Sequence, residues 1–126
     1  MKYTISNETI SGKWRFVILP PNNRKQPLGV SPWYSTIAEC EDAKRKFLAL
    51  IYNKAINRAD DKYVKIERTI SKEIEKENNT VLVTIYKFYY YDDNNELVFF
   101  RKKGFCQKYN CIKCLKSIFK AVEENY

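Results

Sequence analysis

The sequence contains no histidine and only three glycines among its 126 residues. Without imidazole, neither a Ser-His-Asp triad nor a Cys-His nucleophile can form, and the commonest zinc ligand is missing. Gly12, Gly29 and Gly104 stand far apart, so no glycine-rich loop can bind the phosphates of a nucleotide. We therefore expect a protein that is not an enzyme and that holds no cofactor.

The chain also lacks long apolar runs. Residues 81–85 and 97–100 are among the longest, and they fall far short of the roughly 20 apolar residues that a membrane-spanning helix requires. Residues 1–8 contain no apolar core of a secretory signal. We therefore expect a cytoplasmic protein without a membrane partner, in a compartment that keeps cysteines reduced.

Acidic residues are fewer than basic ones, and the imbalance is local. The chain has 23 lysines and arginines against 15 aspartates and glutamates, which gives a net charge of +8. Between Leu97 and Val122 there are seven basic residues and no acidic residue. The seven are Arg101, Lys102, Lys103, Lys108, Lys113, Lys116 and Lys120. Any electrostatic function is expected in this segment, and these residues are the candidate site for a polyanion.

The two halves of the sequence contain the same kinds of segment in the same order. Moving along the chain by 71 residues places Cys40 on Cys111. The preceding aromatic segments match at a shift of 72, which places Trp14 on Tyr86. In each half, alternating apolar and polar residues typical of strands precede an amphipathic helix. The pattern indicates an internal repeat.

These segments predict the fold and its subdivision. Trp14, Phe16 and Ile18 share one face of a predicted strand, as a period of two requires. Residues 36–51 and 107–122 each have the apolar stripe of a helix that packs on a sheet. We predict an α+β protein in which two βββα repeats form an antiparallel sheet with both helices packed on it. The predicted single domain covers residues 1–126, and its repeats cover residues 1–60 and 61–126.

Both halves contain short segments in the order of a known repeat. In the first half these are residues 12–16, Asn22 and Asn23, Ser31, Tyr34 and Ser35, and Glu39 and Cys40. In the second half they are residues 88–91, 94–98, 104–105 and 111–118. The pattern resembles the tandem repeats of the YegP-like bacterial family of unknown function. This resemblance implies a joint sheet with helices on one side, and it implies no catalytic residue.

The four cysteines allow two interpretations. Cys106, Cys111 and Cys114 have the Cys-x4-Cys-x2-Cys spacing of plant-type iron–sulfur proteins, with Cys40 as a fourth ligand. However, Cys111 and Cys114 fall on the apolar face of the last predicted helix, and Cys40 has the equivalent place in the first. Because a buried cysteine behaves as a small apolar residue, we interpret the cysteines as reduced thiols of the core. A zinc or redox centre is the alternative.

Aromatic residues accompany the basic segment. Phe99, Phe100, Phe105 and Tyr109 lie within or beside it, and basic residues combined with exposed aromatic rings are what RNA binding requires. The same residues also fit the solvated face of a helix above core aromatics. We therefore predict a non-enzymatic module that binds a protein or polyanion partner, as a monomer or a homodimer. Nucleic-acid binding through residues 101–120 is the alternative function.

Two nucleic-acid-binding domains share part of the predicted element order. Residues 36–123 can be divided into helix, three strands and helix, which is the order of double-stranded-RNA-binding domains, but the loop histidine of that family is missing. A three-stranded sheet with one helix is the order of plant-type AP2 DNA-binding domains, but here those strands have few basic residues beyond Lys13, Arg15 and Lys87. We rank both below the tandem repeat.

Overall fold

The computed structural model describes residues 2–21, 26–57, 64–76 and 79–126. The predicted turn at Asn22 and Asn23, the boundary between residues 60 and 61, and the tip of the turn at residues 77–78 lie outside the described residues. In the described part, eight elements follow one another. They are β1 (Thr4–Ile10), β2 (Lys13–Leu19), β3 (Gly29–Val30), α1 (Ile37–Asn57), β4 (Val64–Lys76), β5 (Asn79–Tyr91), β6 (Leu97–Phe100) and α2 (Lys108–Asn125). Neither of these two helices combines the length and the apolarity needed to cross a bilayer.

The described strands form one antiparallel sheet with the order β1-β2-β3-β6-β5-β4. The prediction of an α+β protein with an antiparallel sheet is therefore confirmed. β3 and β6 lie in the middle, where the described register consists of the pair Val30 with Phe100. The order helix, three strands and helix does occur from α1 to α2, but in the described residues these three strands form one sheet with β1, β2 and β3.

The helices extend beyond the predicted segments. α1 ends at Asn57, six residues after the predicted end at residue 51. Residues 52–57 contain neither glycine nor proline, so nothing in this stretch stops the helix. At the start of α1, the Thr36 hydroxyl accepts a hydrogen bond of 3.1 Å from the backbone N–H of Glu39. This contact satisfies one of the amide groups left open at a helix N-terminus.

Two tight turns fix the strands that flank them. Ser11 and Gly12 have φ angles of 53° and 77°, which suit a two-residue turn between twisted antiparallel strands. Between β5 and β6, the Asp92 carboxylate accepts hydrogen bonds from the backbone N–H groups of Asn94 and Glu96, at 2.9 and 3.0 Å. This side-chain mimic of a backbone turn holds β6 beside β5.

One apolar core lies between the sheet and both helices. The Phe47 ring of α1 is at its centre, with centroid distances of 4.6 Å to Phe99, 5.5 Å to Tyr90 and 5.7 Å to Phe16. These rings come from β6, β5 and β2, so the core joins both halves of the chain. The buried cluster consists of Phe16, Ile18, Cys40, Phe47, Ile51, Phe88, Tyr90, Phe99, Cys111, Cys114, Leu115, Ile118, Ala121 and Val122.

Residues that alternate with the core residues lie on the opposite face of the sheet, which we call the outer face. Directly paired residues of neighbouring strands share a face, so the register aligns one row of side chains across five strands. The row runs through Val17, Val30, Phe100, Tyr89 and Lys65. Val17 and Val30 are buried, whereas Phe100 and Tyr89 are partly exposed and Lys65 is exposed.

Gly29 lies where β3 crosses the core, and it has no space for a side chain. A Cβ there would come within 2.8 Å of Cζ in the Phe99 ring and 3.0 Å of the Phe100 carbonyl oxygen. We expect Gly29→Ala to lower the free energy of unfolding by about 1–3 kcal/mol, since Phe99 is fully buried and cannot move freely. Urea unfolding followed by circular dichroism measures this. Gly12→Asn is the control, because a Cβ there meets nothing within 4 Å and the φ of 77° adds only the backbone cost that asparagine tolerates. A loss at Gly12 as large as the loss at Gly29 would contradict the expected clash.

Tyr90 offers a second test of the core. Its side chain is fully buried, and its hydroxyl has no hydrogen-bond partner in the described part of the chain. We expect Tyr90→Phe to leave the free energy of unfolding unchanged or raise it by up to about 1 kcal/mol, because an unsatisfied buried hydroxyl is costly. Tyr90→Leu, which removes the ring contacts, should destabilise the protein. A loss of more than 1 kcal/mol in Tyr90→Phe would show that the hydroxyl is bonded in solution.

Candidate polyanion-binding surface

The structure separates the seven basic residues of the candidate site into three groups. Arg101, Lys102 and Lys103 directly follow β6, and Lys108 is the first residue of α2. The remaining three, Lys113, Lys116 and Lys120, are exposed along α2. The groups have different surroundings, so each must be considered as a separate candidate surface.

The first group lines a shallow pocket of about 180 Å³ together with Arg15 of β2. We call this the cationic pocket, because Arg15, Arg101, Lys102 and Lys103 all contribute to its wall and none of its described lining residues is acidic. The other lining residues are Gln26, Pro27, Gly29 and Val30. Four cationic side chains around one small concavity form an arrangement suited to a phosphate group.

Arg15 is held in one orientation by two contacts. Its guanidinium forms a salt bridge of 2.9 Å with Glu8 of β1, and it lies 4.4 Å above the centroid of the Trp33 ring. Glu8 therefore offsets part of the Arg15 charge, while the ring fixes the plane of the guanidinium. Arg15 was not among the predicted site residues. The pairing of β2 with β3 and of β3 with β6 brings it to the same pocket as Arg101.

Arg101 is likewise held in place, and Lys102 and Lys103 are not buried. The Arg101 guanidinium lies 4.4 Å from the centroid of the Phe105 ring, and its Nη1 donates to the Cys114 sulfur at 3.5 Å. Arg101 is partly buried, whereas both lysines are exposed. The wall of the cationic pocket thus combines two arginine side chains, each tied to neighbouring residues, with two exposed lysines.

Lys108 lines a separate groove of about 480 Å³ between the sheet and α2. Arg68 of β4 is the other cationic residue of this groove. Its remaining lining is apolar or aromatic: Val64, Ile66, Tyr86, Leu115 and Phe119. The groove is thus lined by both Lys108 and Arg68, and Arg68 lies outside the predicted basic segment.

The three lysines of α2 form a solvated stripe. Lys113, Lys116 and Lys120 are exposed, at spacings that put them on one side of the helix. Lys113 Nζ lies 6.0 Å from the ring centroid of Tyr109, which is 69% exposed. Apart from Tyr109, this surface has the composition expected of a helix face in water.

An acidic groove lies between α1 and the turn joining β5 to β6. It encloses about 920 Å³, and its described lining contains five carboxylates and one cation, Lys46. The carboxylates are Glu39, Asp42, Asp92, Asp93 and Glu96. Hydrogen bonds from Lys46 and Arg45 lower the pKa of Asp42. Burial raises the pKa of the Tyr34 hydroxyl in this groove, with smaller contributions from Cys40, Asp92 and Glu96. Sequence reasoning missed the groove, because its two acidic segments are about 50 residues apart.

The cysteines are free thiols with two different environments. Cys40, Cys111 and Cys114 are buried, as predicted for core residues, but Cys106 is exposed, so the core interpretation is wrong for it. Cys106 lies in the loop before α2, outside the apolar stripe of the helix. Burial raises the pKa of the other three thiols, and for Cys114 it outweighs the opposing effect of Arg101. No group of three cysteine, aspartate or glutamate side chains in the described residues is placed to hold a metal ion.

These environments predict the reactivity of the thiols. We expect one cysteine per chain to react rapidly with Ellman's reagent at pH 8, because the three buried thiols are shielded and remain protonated when their pKa is raised. The other three should react only after unfolding. Cys106→Ser should abolish the rapid phase, whereas Cys40→Ser should leave it intact. Rapid reaction of more than one thiol in the folded protein would contradict the burial of the other three.

Comparison with known proteins gives no relative for this chain. It matches no protein-family model, no curated protein sequence and no solved structure. Of the surfaces described above, the cationic pocket gathers four cationic side chains around one small concavity.

Proposed function

We propose that this protein is a non-enzymatic, cytoplasmic binding module, built from two βββα repeats, that binds a polyanion at the cationic pocket. The observation that carries the proposal is the convergence of Arg15, Arg101, Lys102 and Lys103 on one concavity of about 180 Å³. An arginine guanidinium can donate two parallel hydrogen bonds to two oxygens of one phosphate, whereas a lysine ammonium adds charge without a fixed geometry. A chain of phosphates would supply the anions that this surface lacks.

Equivalent backbone contacts support the two-repeat arrangement. Trp14 and Tyr34 form an isolated antiparallel bridge with N–O distances of 2.8 and 2.6 Å, and Tyr86 and Phe105 form another with distances of 2.8 Å each. These partners are related by the shifts of 72 and 71 residues found in the sequence. The order of three strands and a helix also occurs twice. This order is the one implied by the YegP-like resemblance, and membership of that family is part of the proposal.

The chemistry of the side chains favours binding over catalysis. With no histidine in the sequence, a thiolate nucleophile would need a cysteine whose pKa is lowered by its surroundings. Cys40, Cys111 and Cys114 instead have raised pKa values because of burial. Asp42 and Asp92 are engaged in an ion pair and a turn, respectively.

Salt dependence tests the proposed function. We expect an oligothymidylate of 15 nucleotides and inorganic polyphosphate both to bind, with affinity that falls steeply as salt rises. If three or four phosphates are neutralised, affinity for the oligonucleotide should fall about 20- to 50-fold between 50 and 200 mM salt. Fluorescence anisotropy measures this. Weak binding that does not change with salt would contradict the proposal.

Charge reversal locates the site. We expect Lys102→Glu combined with Lys103→Glu to weaken binding about tenfold or more at 50 mM salt, since two phosphate contacts become repulsive. The control, Arg45→Glu with Lys46→Glu, makes the same change in net charge on exposed side chains of α1 and should weaken binding far less. If reversal of Lys116 and Lys120 has the larger effect, the solvated stripe of α2 is the site and the cationic pocket is not.

A further inference from the structure

We infer that the outer face of the sheet beside the cationic pocket binds single-stranded nucleic acid by stacking bases on Phe100, Tyr89 and Tyr91. This inference rests on the proposed function and names the class of polyanion. The cationic pocket would hold the phosphates, and the aromatic side chains next to it would hold the bases. Neither feature alone distinguishes a nucleic acid from another polyanion.

The register places the aromatic side chains next to the cationic pocket. Val30 lines the pocket and is paired with Phe100, which is paired with Tyr89. Because neighbouring strands lie about 4.8 Å apart, Tyr89 is about 10 Å from Val30 along the row. A phosphate in the pocket and a base on Phe100 or Tyr89 are therefore within reach of one short strand.

These rings are accessible and have cations beside them. Phe100, Tyr89 and Tyr91 are partly exposed, on the face of the sheet opposite the core and its helices. Lys65 Nζ lies 5.1 Å from the Tyr91 ring centroid, and Lys87 precedes Tyr89 by two positions on the same face of β5. Trp33, which is 36% exposed, lies beneath the Arg15 guanidinium and adds a further aromatic ring beside a residue of the cationic pocket.

The charges favour a nucleic acid over a second sheet as the occupant. A dry interface between two such faces would bury Lys65, Lys87 and Arg15 together with their carboxylate neighbours, and the desolvation of charged groups is costly. The described acidic residues of this face are Glu8, which pairs with Arg15, and Glu67, which lies opposite Lys87. Phosphates would add anions to a face on which the described cations outnumber the carboxylates, and stacking requires bases whose faces are free, as they are in a single strand.

Substitutions that separate stacking from charge test the inference. We expect Tyr89→Leu to weaken binding of the 15-nucleotide oligothymidylate about 5- to 100-fold, because base–aromatic contacts contribute strongly to single-strand affinity. Binding of inorganic polyphosphate should change less than twofold, and Tyr89→Phe should bind as the parent protein does. Tyr109→Leu is the matched control, because it removes an exposed tyrosine of α2 outside the row. Circular dichroism and thermal unfolding show whether each variant is folded. If Tyr89→Leu does not fold, Phe100→Leu provides the second test.

The outcomes distinguish this inference from the proposed function. If neither polyphosphate nor oligothymidylate binds, the proposed function fails, and the inference fails with it. If both bind equally and Tyr89→Leu and Phe100→Leu change neither, the pocket binds polyanions without using bases, and only the inference fails. Tighter binding of duplex than of single strand overturns the inference as well. A dimer detected by light scattering, which Tyr89→Leu dissociates, would also overturn the inference, because a second copy of the chain would then cover the outer face.

Discussion

The pairing of β3 with β6 is the contact on which the remaining architecture depends. In the described residues its register contains one pair, Val30 with Phe100, and it joins two three-stranded units into one sheet. Directly beneath it, the Phe99 ring stacks on Phe16 and Phe47, at 5.8 and 4.6 Å. The short strand contacts this aromatic group because Gly29 has no side chain. A pairing of this length would be weak alone, so the shared core beneath it must provide most of its stability.

The same pairing assembles the cationic pocket. Arg15 comes from the first half of the chain and Arg101 from the second, and the pocket lies where β3 meets β6. The acidic groove is also a junction, between α1 of the first half and the β5–β6 turn of the second. Positive and negative charges are thus gathered at different junctions between the halves. A surface that attracts phosphates at one place would repel them at the other, which would orient an approaching polyanion.

Periodicity in the sequence predicts most of the helices and strands and the residues of the core. It does not predict which residues meet in the cationic pocket or on the outer face. Phe16, Cys40 and Cys111 were predicted as core residues because strand alternation and helix stripes are local properties. The end of α1 at Asn57 was missed, because no residue marks it. Arg15 and the row through Phe100 and Tyr89 were missed for a different reason. Their neighbours are set by β3–β6 pairing and strand register, and these depend on contacts between residues far apart in the chain.

The strand order leaves β1 and β4 as the two margins of the sheet. The margin of an open sheet presents unpaired backbone groups, and these can recruit a strand from another molecule. On β4 the described side chains include Lys65, Glu67 and Arg68, all exposed. Charges of this density discourage edge-to-edge growth, since an added strand would have to desolvate them. The β4 margin therefore acts against aggregation. Several copies of the protein could bind along one polyanion without pairing their edge strands.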